Sequence, residues 1–594
     1  MTADDQNRQV VVVGAGPAGL TAAYELTKNA VKPLVLEQGD RVGGLARTEN
    51  HNGYRFDMGG HRFFTKVEAV NELWHEVMGE DFLCRPRLSR IFYHNRFFYY
   101  PLRIFNVLKG VGLWEAAGII FSYLQAKVFP PKRQDTVDQW MTRRFGKKLY
   151  ETFFKTYTEK VWGIPCTQIK AEWAYQRIRE LSLKTILVSM VSRSKDSHTS
   201  LIEEFEYPRL GPGMLWERVR DEIEQRGGIV SPRSEVIKFN RKGNRIDSVV
   251  VLHDGEGNEV IPGTDFISSI PLVDLIHKLD DVPENVLEAA EKIRYRDFLT
   301  VCLIINQPAL FPDNWIYIHS PEVKVGRIQN FKNWSPEMVA DPAKTSLGLE
   351  YFCTEGDEIW RMADDELIHI GINELDRIGL ARAADVEGGF VYRVPKAYPV
   401  YDADYQNSLG VIREFIGKLE NFQTIGRNGL HRYNNMDHSM VTAMLAVRNV
   451  LFQEKNDLWN VNTDQEYLEE AKLSPESQAV SGARLELVFL KLDPLAFGLS
   501  SGITTALVLL IATLWLVIKG GLVVGPNLLL LDQYFPGFTV SFRGAGIGML
   551  YGLLLGFILG WGFAYLRNLA ILISMILIQR DIESLALRRL LDYL

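Results

Sequence analysis

The sequence predicts an α/β protein with a Rossmann-like nucleotide-binding domain, an inserted α+β domain and a C-terminal transmembrane hairpin of two helices. Near the start of the chain, a glycine-rich turn lies between a β-branched run and a helical run. Alternating strand patterns recur through the middle, and two long apolar runs lie near the end. At 594 residues the chain is too long for one core, which predicts several domains.

Composition and charge narrow the function classes. The net charge is −7, so nucleic acid is not expected as a main partner. The four cysteines are widely spaced and form no CxxC or CxxH pattern. We therefore expect reduced thiols in a cytoplasmic setting and no metal site. The polar N-terminus carries no apolar segment, so a secretory signal is not expected.

The first predicted element is a β-α-β unit that starts at residue 10. Four valines predict a buried parallel strand, and G-x-G-x-x-G follows with Gly14, Gly16 and Gly19. The first glycine permits a tight turn, the second lets a pyrophosphate approach the backbone, and the third lets the helix pack on the strand. Glu37 ends the next strand, where an acid accepts ribose hydroxyls. The alternative is a glycine turn without a ligand.

A second glycine pair follows shortly after this unit. Arg41, Gly43 and Gly44 belong to the sequence R-V-G-G. With this pair, the chain resembles the FAD-dependent superfamily that includes amine oxidases, protoporphyrinogen oxidases, phytoene desaturases and UDP-galactopyranose mutases. The resemblance implies FAD as the cofactor and covers most of residues 10–462.

Three further segments are similar to segments of this superfamily. Residues 56–64, FDMGGHRFF, resemble the segment that passes the flavin ring, which implies Gly60 and His61 beside it. The strand around Val236 resembles the one whose backbone meets the adenine, and residues 267–272 resemble a strand that returns to the nucleotide domain. His61 has an alternative role as a packed histidine without chemistry.

Within the superfamily, the mutase branch is more similar. Residues 149–163, 325–334 and 397–402 each resemble a mutase segment, and the substrate-binding residues that this implies are Tyr157, Trp162, Arg327 and Tyr398. Tyr157 and Trp162 would stack on the substrate, or else belong to the core. Arg327 would bind a diphosphate, or else form a surface ion pair.

Residues 424–437, TIGRNGLHRYNNMD, combine donors and glycines that no amphipathic period explains. Gly426 would let the backbone approach a flavin, and Arg427 would donate to flavin or substrate. Asn435 would cap a helix that begins at Met436, so that its amides stabilise an anionic reduced flavin. Tyr433 matches a mutase tyrosine and would contact the substrate. The alternative is a polar loop that only caps the helix.

The chain also departs from the mutase pattern. Different residues stand at four mutase positions, namely Phe64, Val161, His431 and Asn435. A second diphosphate-binding arginine has only Arg177 and Arg209 as candidates. Arg209 lies in a glycine- and proline-rich turn and has the alternative of pointing outward. The superfamily fold is therefore expected to hold more firmly than the mutase activity.

Two apolar runs are long enough to cross a bilayer, residues 503–518, extended past Lys519 by residues 520–524, and residues 544–565. The intervening residues 525–543 hold one arginine and one aspartate, whereas the flanks carry Arg484, Lys491 and Arg567 among other basic residues. Both ends and the large domain are therefore expected to face the cytoplasm. The alternative is a pair of buried core helices.

The second run carries a glycine at every fourth residue from 544 to 560. Glycines at this period leave a flat helix face that a neighbouring backbone can approach. The predicted neighbour is the first run or the same helix in a second copy, which would make a homodimer.

The predicted domains follow the order of these segments. They are FAD-binding parts at 1–65, 206–275 and 416–465, a mainly helical insertion at 66–205, a substrate domain at 276–415, a linker at 466–500, the hairpin at 501–580 and a tail at 581–594.

Three functions remain open from the sequence. The first is a membrane-attached FAD-dependent oxidoreductase acting on an apolar, lipid-linked or glycan-precursor substrate at the cytoplasmic face. The second is a non-redox, flavin-dependent mutase of a sugar nucleotide. The third is a non-catalytic flavoprotein scaffold. With no Ser-His-Asp or metal cluster in the sequence, the flavin would carry the chemistry.

Overall fold

A computed structural model describes residues 8–100, 104–131, 133–171, 204–254, 256–402, 404–461, 492–520 and 525–591. The chain divides into two compact units, Met1–Ala471 and Lys472–Leu594. Arg177 and most of the predicted linker at 466–500 lie outside the described residues.

The strands of the first unit all lie between residues 10 and 424. They are β1 (Val10–Val13), β2 (Leu34–Leu36), β3 (Thr48–His51), β4 (Tyr54–Asp57), β5 (Phe82–Pro86), β6 (Ser89–Tyr93), β7 (Arg96–Tyr99), β8 (Glu204–Pro208), β9 (Ile229–Ser231), β10 (Ser234–Lys242), β11 (Arg245–His253), β12 (Glu256–Pro262), β13 (Asp265–Ser268), β14 (Tyr295–Ile305), β15 (Trp315–Ile318), β16 (Arg327–Asn330), β17 (Thr345–Cys353), β18 (Val386–Pro399) and β19 (Phe422–Thr424).

The helices of both units are numbered in chain order. They are α1 (Pro17–Lys28), α2 (Glu68–Met78), α3 (Ile104–Val111), α4 (Leu113–Val128), α5 (Val137–Phe145), α6 (Lys147–Tyr150), α7 (Thr156–Trp162), α8 (Pro212–Gln225), α9 (Leu272–Lys278), α10 (Glu284–Lys292), α11 (Phe331–Trp334), α12 (Glu358–Arg361), α13 (Asp364–Arg377), α14 (Tyr405–Ile416), α15 (Gly426–Gly429), α16 (Met436–Phe452), α17 (Pro494–Lys519), α18 (Pro526–Leu529) and α19 (Phe542–Leu591).

A five-stranded parallel sheet forms the nucleotide-binding part, in the order β19-β13-β1-β2-β9. All four valines of β1 are buried, as expected for a strand covered on both faces. The strands come from early, middle and late parts of the chain, within the three segments predicted to bind FAD. The predicted α/β Rossmann-like fold is confirmed.

A seven-stranded sheet, in the order β18-β14-β17-β16-β15-β6-β7, forms the second layer. Its longest internal pairing is made by β14, which pairs antiparallel with the edge strand β18 on one side and with β17 on the other. The segment predicted to be mainly helical, 66–205, contributes β6 and β7 to this sheet as well as helices α2–α7. The apolar run 107–129 is split between α3 and α4 at Gly112, whose φ of +87° interrupts the helix.

In the second unit, α17 and the part of α19 from Phe542 to Leu569 are long and apolar enough to cross a membrane. The glycine-bearing face of α19 packs on α17 of the same chain. A Cβ added at Gly552 would lie 3.0 Å from Ala506 Cα, and one at Gly556 would lie 2.7 Å from the Ser501 carbonyl oxygen. α17 therefore occupies this face, which matches the first of the two predicted neighbours, and the homodimer stays a prediction.

Candidate functional site

The glycine-rich turn has a different constraint at each glycine. Gly14 has a φ of +97°, and a Cβ added at Gly19 would lie 1.8 Å from the Gly14 carbonyl oxygen. Neither position can take a larger residue without a shift of the backbone. Gly16 differs, because the nearest atom to an added Cβ is Gly44 Cα at 3.8 Å. The space beside the Gly16 Cα is therefore not filled by other residues of the described fold.

The second glycine pair closes on this turn. Gly43 has a φ of +103° and donates its N–H to the Ala15 carbonyl at 2.8 Å. A Cβ added at Gly44 would lie 3.0 Å from Gly16 Cα. No side chain caps the N-terminus of α1 at Gly16. The turn thus presents open backbone and a helix N-terminus, which fit a pyrophosphate.

The three other predicted nucleotide contacts lie near the turn or its flanking strands. Glu37 accepts the N–H of Ala15 at 2.7 Å and that of Gly39 at 2.8 Å, so its carboxylate holds the turn in addition to any ribose contact. Arg41 is exposed and faces Glu49 at 3.4 Å. The carbonyl of Val236 accepts a hydrogen bond from Lys278 Nζ at 2.7 Å.

The segment 424–437 meets the first helix. Gly426 has a φ of +81°, and a Cβ added there would lie 2.9 Å from Ala18 Cβ in the first turn of α1. The Gly426 N–H donates to Thr442 Oγ1 at 2.9 Å. Asn435 is the N-cap residue of α16, which begins at Met436 as predicted. The start of this helix and the glycine-rich turn therefore belong to one site.

Arg427 lies beside a stacked pair of tyrosines. Its guanidinium donates to the carbonyls of Asn434 at 2.8 Å and Ala397 at 3.1 Å, and lies 4.9 Å from the Tyr433 ring centre. Tyr433 stacks on Tyr398 with 5.5 Å between ring centres. No carboxylate of the described residues forms an ion pair with Arg427, so its positive charge is not neutralised locally.

Arg327 is paired within the protein. Its Nε donates to Glu350 Oε2 at 2.8 Å, and Gln329 Nε2 donates to the other oxygen at 2.9 Å. Glu350 is fully buried. The ion pair given as the alternative role of Arg327 is therefore present, but it is buried and not at the surface.

His61 lies near Arg327 and within reach of the charges of both arginines. Atoms of His61 and Arg327 lie 3.9 Å and 3.7 Å from the position of a Cβ added at Gly59. Nδ1 of His61 is 3.0 Å from the Gly59 carbonyl, which can only accept, so Nδ1 carries the hydrogen and Nε2 has a lone pair. Burial, together with the charges of Arg427 and Arg327, lowers the pKa of His61 to about 3. The imidazole is therefore neutral at physiological pH and accepts at Nε2.

Three of the predicted substrate contacts have distinct positions. Tyr157 stacks on His319 with 5.0 Å between ring centres and lies edge-on to Tyr317 at 5.2 Å. Trp162 is only 3% exposed and stacks on Tyr401, so it belongs to the core. Arg209 pairs with two carboxylates at the surface, those of Asp81 and Glu337. In this structure Trp162 packs in the core and Arg209 pairs at the surface, and their substrate roles stay predictions.

Three residues that contact Arg327 or Tyr157 or their partners were not predicted from the sequence, namely Glu350, Gln329 and His319. Glu350 is a lone acid in the apolar strand TSLGLEYFC, and that exception to the pattern was a usable signal. Gln329 and His319 gave no local signal, because their partners come from other strands and from α7.

Comparisons with known proteins agree with this geometry. The NAD(P)-binding Rossmann-like domain family matches residues 12–77. A Klebsiella pneumoniae protein named as a UDP-galactopyranose mutase is 26% identical over 174 residues, 28% of this chain and 44% of that protein. An L-amino-acid oxidase from Crotalus adamanteus is 42% identical over 72 residues, 12% of this chain and 14% of the oxidase. The chain thus spans less than half the length of either relative.

Solved structures match over a longer range. A reduced UDP-galactopyranose mutase has a TM-score of 0.67 at 20% identity, covering 78% of this chain and 99% of the mutase. A protoporphyrinogen oxidase-like protein from Exiguobacterium sp. has a TM-score of 0.58 at 16% identity, covering 75% and 99%. These structural matches show that the chain shares the fold of UDP-galactopyranose mutase and of the protoporphyrinogen oxidase-like protein.

Proposed function

We propose that this chain is a membrane-attached, FAD-dependent oxidoreductase that acts on an apolar, lipid-linked or glycan-precursor substrate at the cytoplasmic face. The observation that carries the proposal is the contact of Gly426 with the first turn of α1, which brings two distant parts of the chain together beside the glycine-rich turn. The open backbone at Gly16 and the uncapped N-terminus of α1 fit the pyrophosphate of FAD.

The chain's own residues would prepare the site for a flavin. When bound, FAD supplies hydride exchange with the substrate. Arg427 brings a positive charge that no carboxylate of the described residues pairs with, which favours an anionic ring. Neutral His61 would orient a ligand by accepting a hydrogen bond at Nε2. The Tyr398–Tyr433 pair offers an aromatic surface for an apolar or sugar group.

Membrane attachment is supported by the two candidate spans, α17 and residues 542–569 of α19. The basic flanks favour a cytoplasmic position for both ends of the hairpin. A membrane hairpin would hold the site near the bilayer, which is where a lipid-linked substrate is found.

A sugar-nucleotide mutase is the second candidate. The TM-score with the reduced mutase and the positions of Tyr157, Tyr398 and Tyr433 favour it. The pairing of Arg327 with Glu350 weighs against it, because a neutralised arginine binds a diphosphate less strongly.

Flavin spectroscopy separates the candidates. The full-length protein is purified in detergent, loaded with FAD and incubated without oxygen with polyprenyl-linked sugars or with sugar nucleotides. Substrate-dependent bleaching of oxidised flavin is the result expected of an oxidoreductase. Turnover of a sugar nucleotide only by pre-reduced protein, without net electron transfer, would replace this proposal with the mutase. Bound FAD without either activity would leave a scaffold, and failure to bind FAD would overturn all three.

A further inference from the structure

Helix α4 of the first unit carries a stripe of large apolar side chains that nothing in the described residues covers. Trp114 is 92% exposed, and the stripe continues over about four turns to the end of the helix and beyond it. Its other large members are Ile120, Phe121, Leu124, Val128 and Phe129, all about half exposed or more. At 1.5 Å per residue the stripe from Trp114 to Val128 is about 21 Å long.

The opposite face of α4 is firmly packed, so the stripe is not a sign of a detached helix. Ala116, Ile119 and Ala126 are buried on this opposite face. Ser122 Oγ accepts the N–H of Lys148 at 3.0 Å, and Glu115 pairs with Lys148 Nζ at 2.8 Å. A helix that is apolar on both faces needs a second apolar environment.

The charges around the stripe indicate which apolar environment covers this face of α4. Residues 103–155 contain ten basic and four acidic residues, in a chain whose net charge is −7. Lys127 and Arg133, at the end of the stripe, are both exposed. Tryptophan, phenylalanine and leucine on one face with basic residues beside them are typical of helices that lie in a membrane interface. In a symmetric pair of copies, the same basic residues would face each other and repel.

We propose that the stripe on α4 docks the first unit on a bilayer that contains anionic lipids. The inference rests on the membrane attachment in the proposed function and extends it, because the catalytic unit itself would touch the lipid. α4 packs on α6, and the chain runs from α6 into α7, which carries Tyr157. A substrate with an apolar tail could then pass from the bilayer to the helical layer that carries Tyr157.

Site-directed spin labelling of the full-length chain tests this surface. Cys84 is the exposed native cysteine, so the labels are introduced on a C84S background, since the other three cysteines are buried. F121C places a label in the stripe. V260C is the matched control, an exposed apolar position on the three-stranded sheet. Labels are probed in nanodiscs of phosphatidylglycerol and phosphatidylcholine with oxygen, which partitions into lipid, and with a water-soluble nickel chelate.

The expected result is a several-fold higher accessibility to oxygen than to nickel at residue 121, and the reverse at residue 260. The variant K127E/R133E should move the residue 121 label toward water, and omission of phosphatidylglycerol should do the same. A label at 121 that nickel reaches freely would overturn the inference, and so would shielding from both reagents, which would indicate a protein partner. Insertion of the chain without lipid contact at 121 would refute only this inference, whereas failure to insert would refute the proposed attachment too.

Discussion

Arg327 and Glu350 form a buried ion pair on neighbouring strands, with Nε of the arginine 2.8 Å from Oε2 of the glutamate. The pair lies beside His61 and Gly59, at the edge of the proposed flavin site. It supplies the site with a fixed dipole, while the unpaired charge of Arg427 supplies the net positive charge.

Removal of the Glu350 charge should destabilise the protein. E350Q leaves Arg327 buried without its counterion, and we expect a loss of about 3 kcal/mol in the free energy of unfolding. The double variant R327M/E350Q should lose less than the sum of the single variants, by about 1 kcal/mol or more. Urea unfolding of the detergent-solubilised chain measures both. E355Q changes an exposed glutamate and is the control. Additive losses would mean that the pair is not coupled.

Glycine substitutions should separate cofactor binding from folding. The methyl group of G16A makes only an ordinary contact, with Gly44 Cα at 3.8 Å, so the protein should fold with an unchanged Tm. FAD should bind at least about tenfold more weakly, because the methyl group would occupy the place of the pyrophosphate. G19A places a Cβ 1.8 Å from the Gly14 carbonyl oxygen and should fail to fold stably. Flavin titration and thermal unfolding check the pair. Normal FAD affinity in G16A would place the pyrophosphate elsewhere.

The charge of Arg427 should set the potential of the bound flavin. R427M removes a positive charge near the ring, so the anionic reduced form loses stabilisation and the two-electron midpoint potential becomes more negative. A loss of about 1.4 kcal/mol corresponds to about 30 mV. R427K retains the charge and should shift the potential less. If the wild type and R427M bind FAD and have equal midpoint potentials, Arg427 does not lie near the flavin ring.

Asp57 should make stability depend on pH. Burial raises the pKa of this carboxyl from 3.8 to about 7, although Tyr207 and Thr48 donate hydrogen bonds to it. A folded pKa above the unfolded pKa gives a contribution that is full below about pH 4 and lost as pH rises through about 7. Relative to D57N, the wild type should therefore lose up to about 4 kcal/mol between these pH values. The difference in Tm between the two proteins across this range measures it, and parallel curves would contradict the shift.

The glycine face of α19 should be sensitive only where it meets α17. G556L would force a side chain against Ser501 and Thr505, whereas G562L on the same helix meets no atom within 4 Å. We expect G556L to lower the temperature at which the detergent-solubilised chain loses its monomer peak in gel filtration, and G562L to have little effect. Equal effects at the two positions would indicate that the glycines do not hold the hairpin together.

The first strand, the glycine-rich turn and the start of α16 could be predicted from sequence, because each depends on neighbouring residues only. The valine run and the spacing of Gly14, Gly16 and Gly19 specify a buried strand and a tight turn, and both are present. The start of α16 followed from Asn435, which is a favoured residue at a helix N-cap.

Contacts between residues far apart in the chain could not be predicted from the sequence. Arg327 carried a predicted ligand role, but its partner Glu350 lies on the next strand and the pairing depends on sheet register. Trp162 and Tyr157 lie on one short helix with the same aromatic character, and only tertiary packing assigns Trp162 to the core and Tyr157 to the side of His319. Arg209 was ambiguous for a similar reason, since Asp81 and Glu337 come from other segments.

The contact between Gly426 and the first turn of α1 also orders events during synthesis. A ribosome releases the chain from the N-terminus, so a nascent chain that ends before Gly426 has the glycine-rich turn but lacks the segment that closes over it. The closing segment emerges before α17, the first apolar helix of the hairpin. The large unit can therefore bind FAD before the membrane segments leave the ribosome. A chain that terminates between the closing segment and α17 should then be released with the yellow colour of bound flavin.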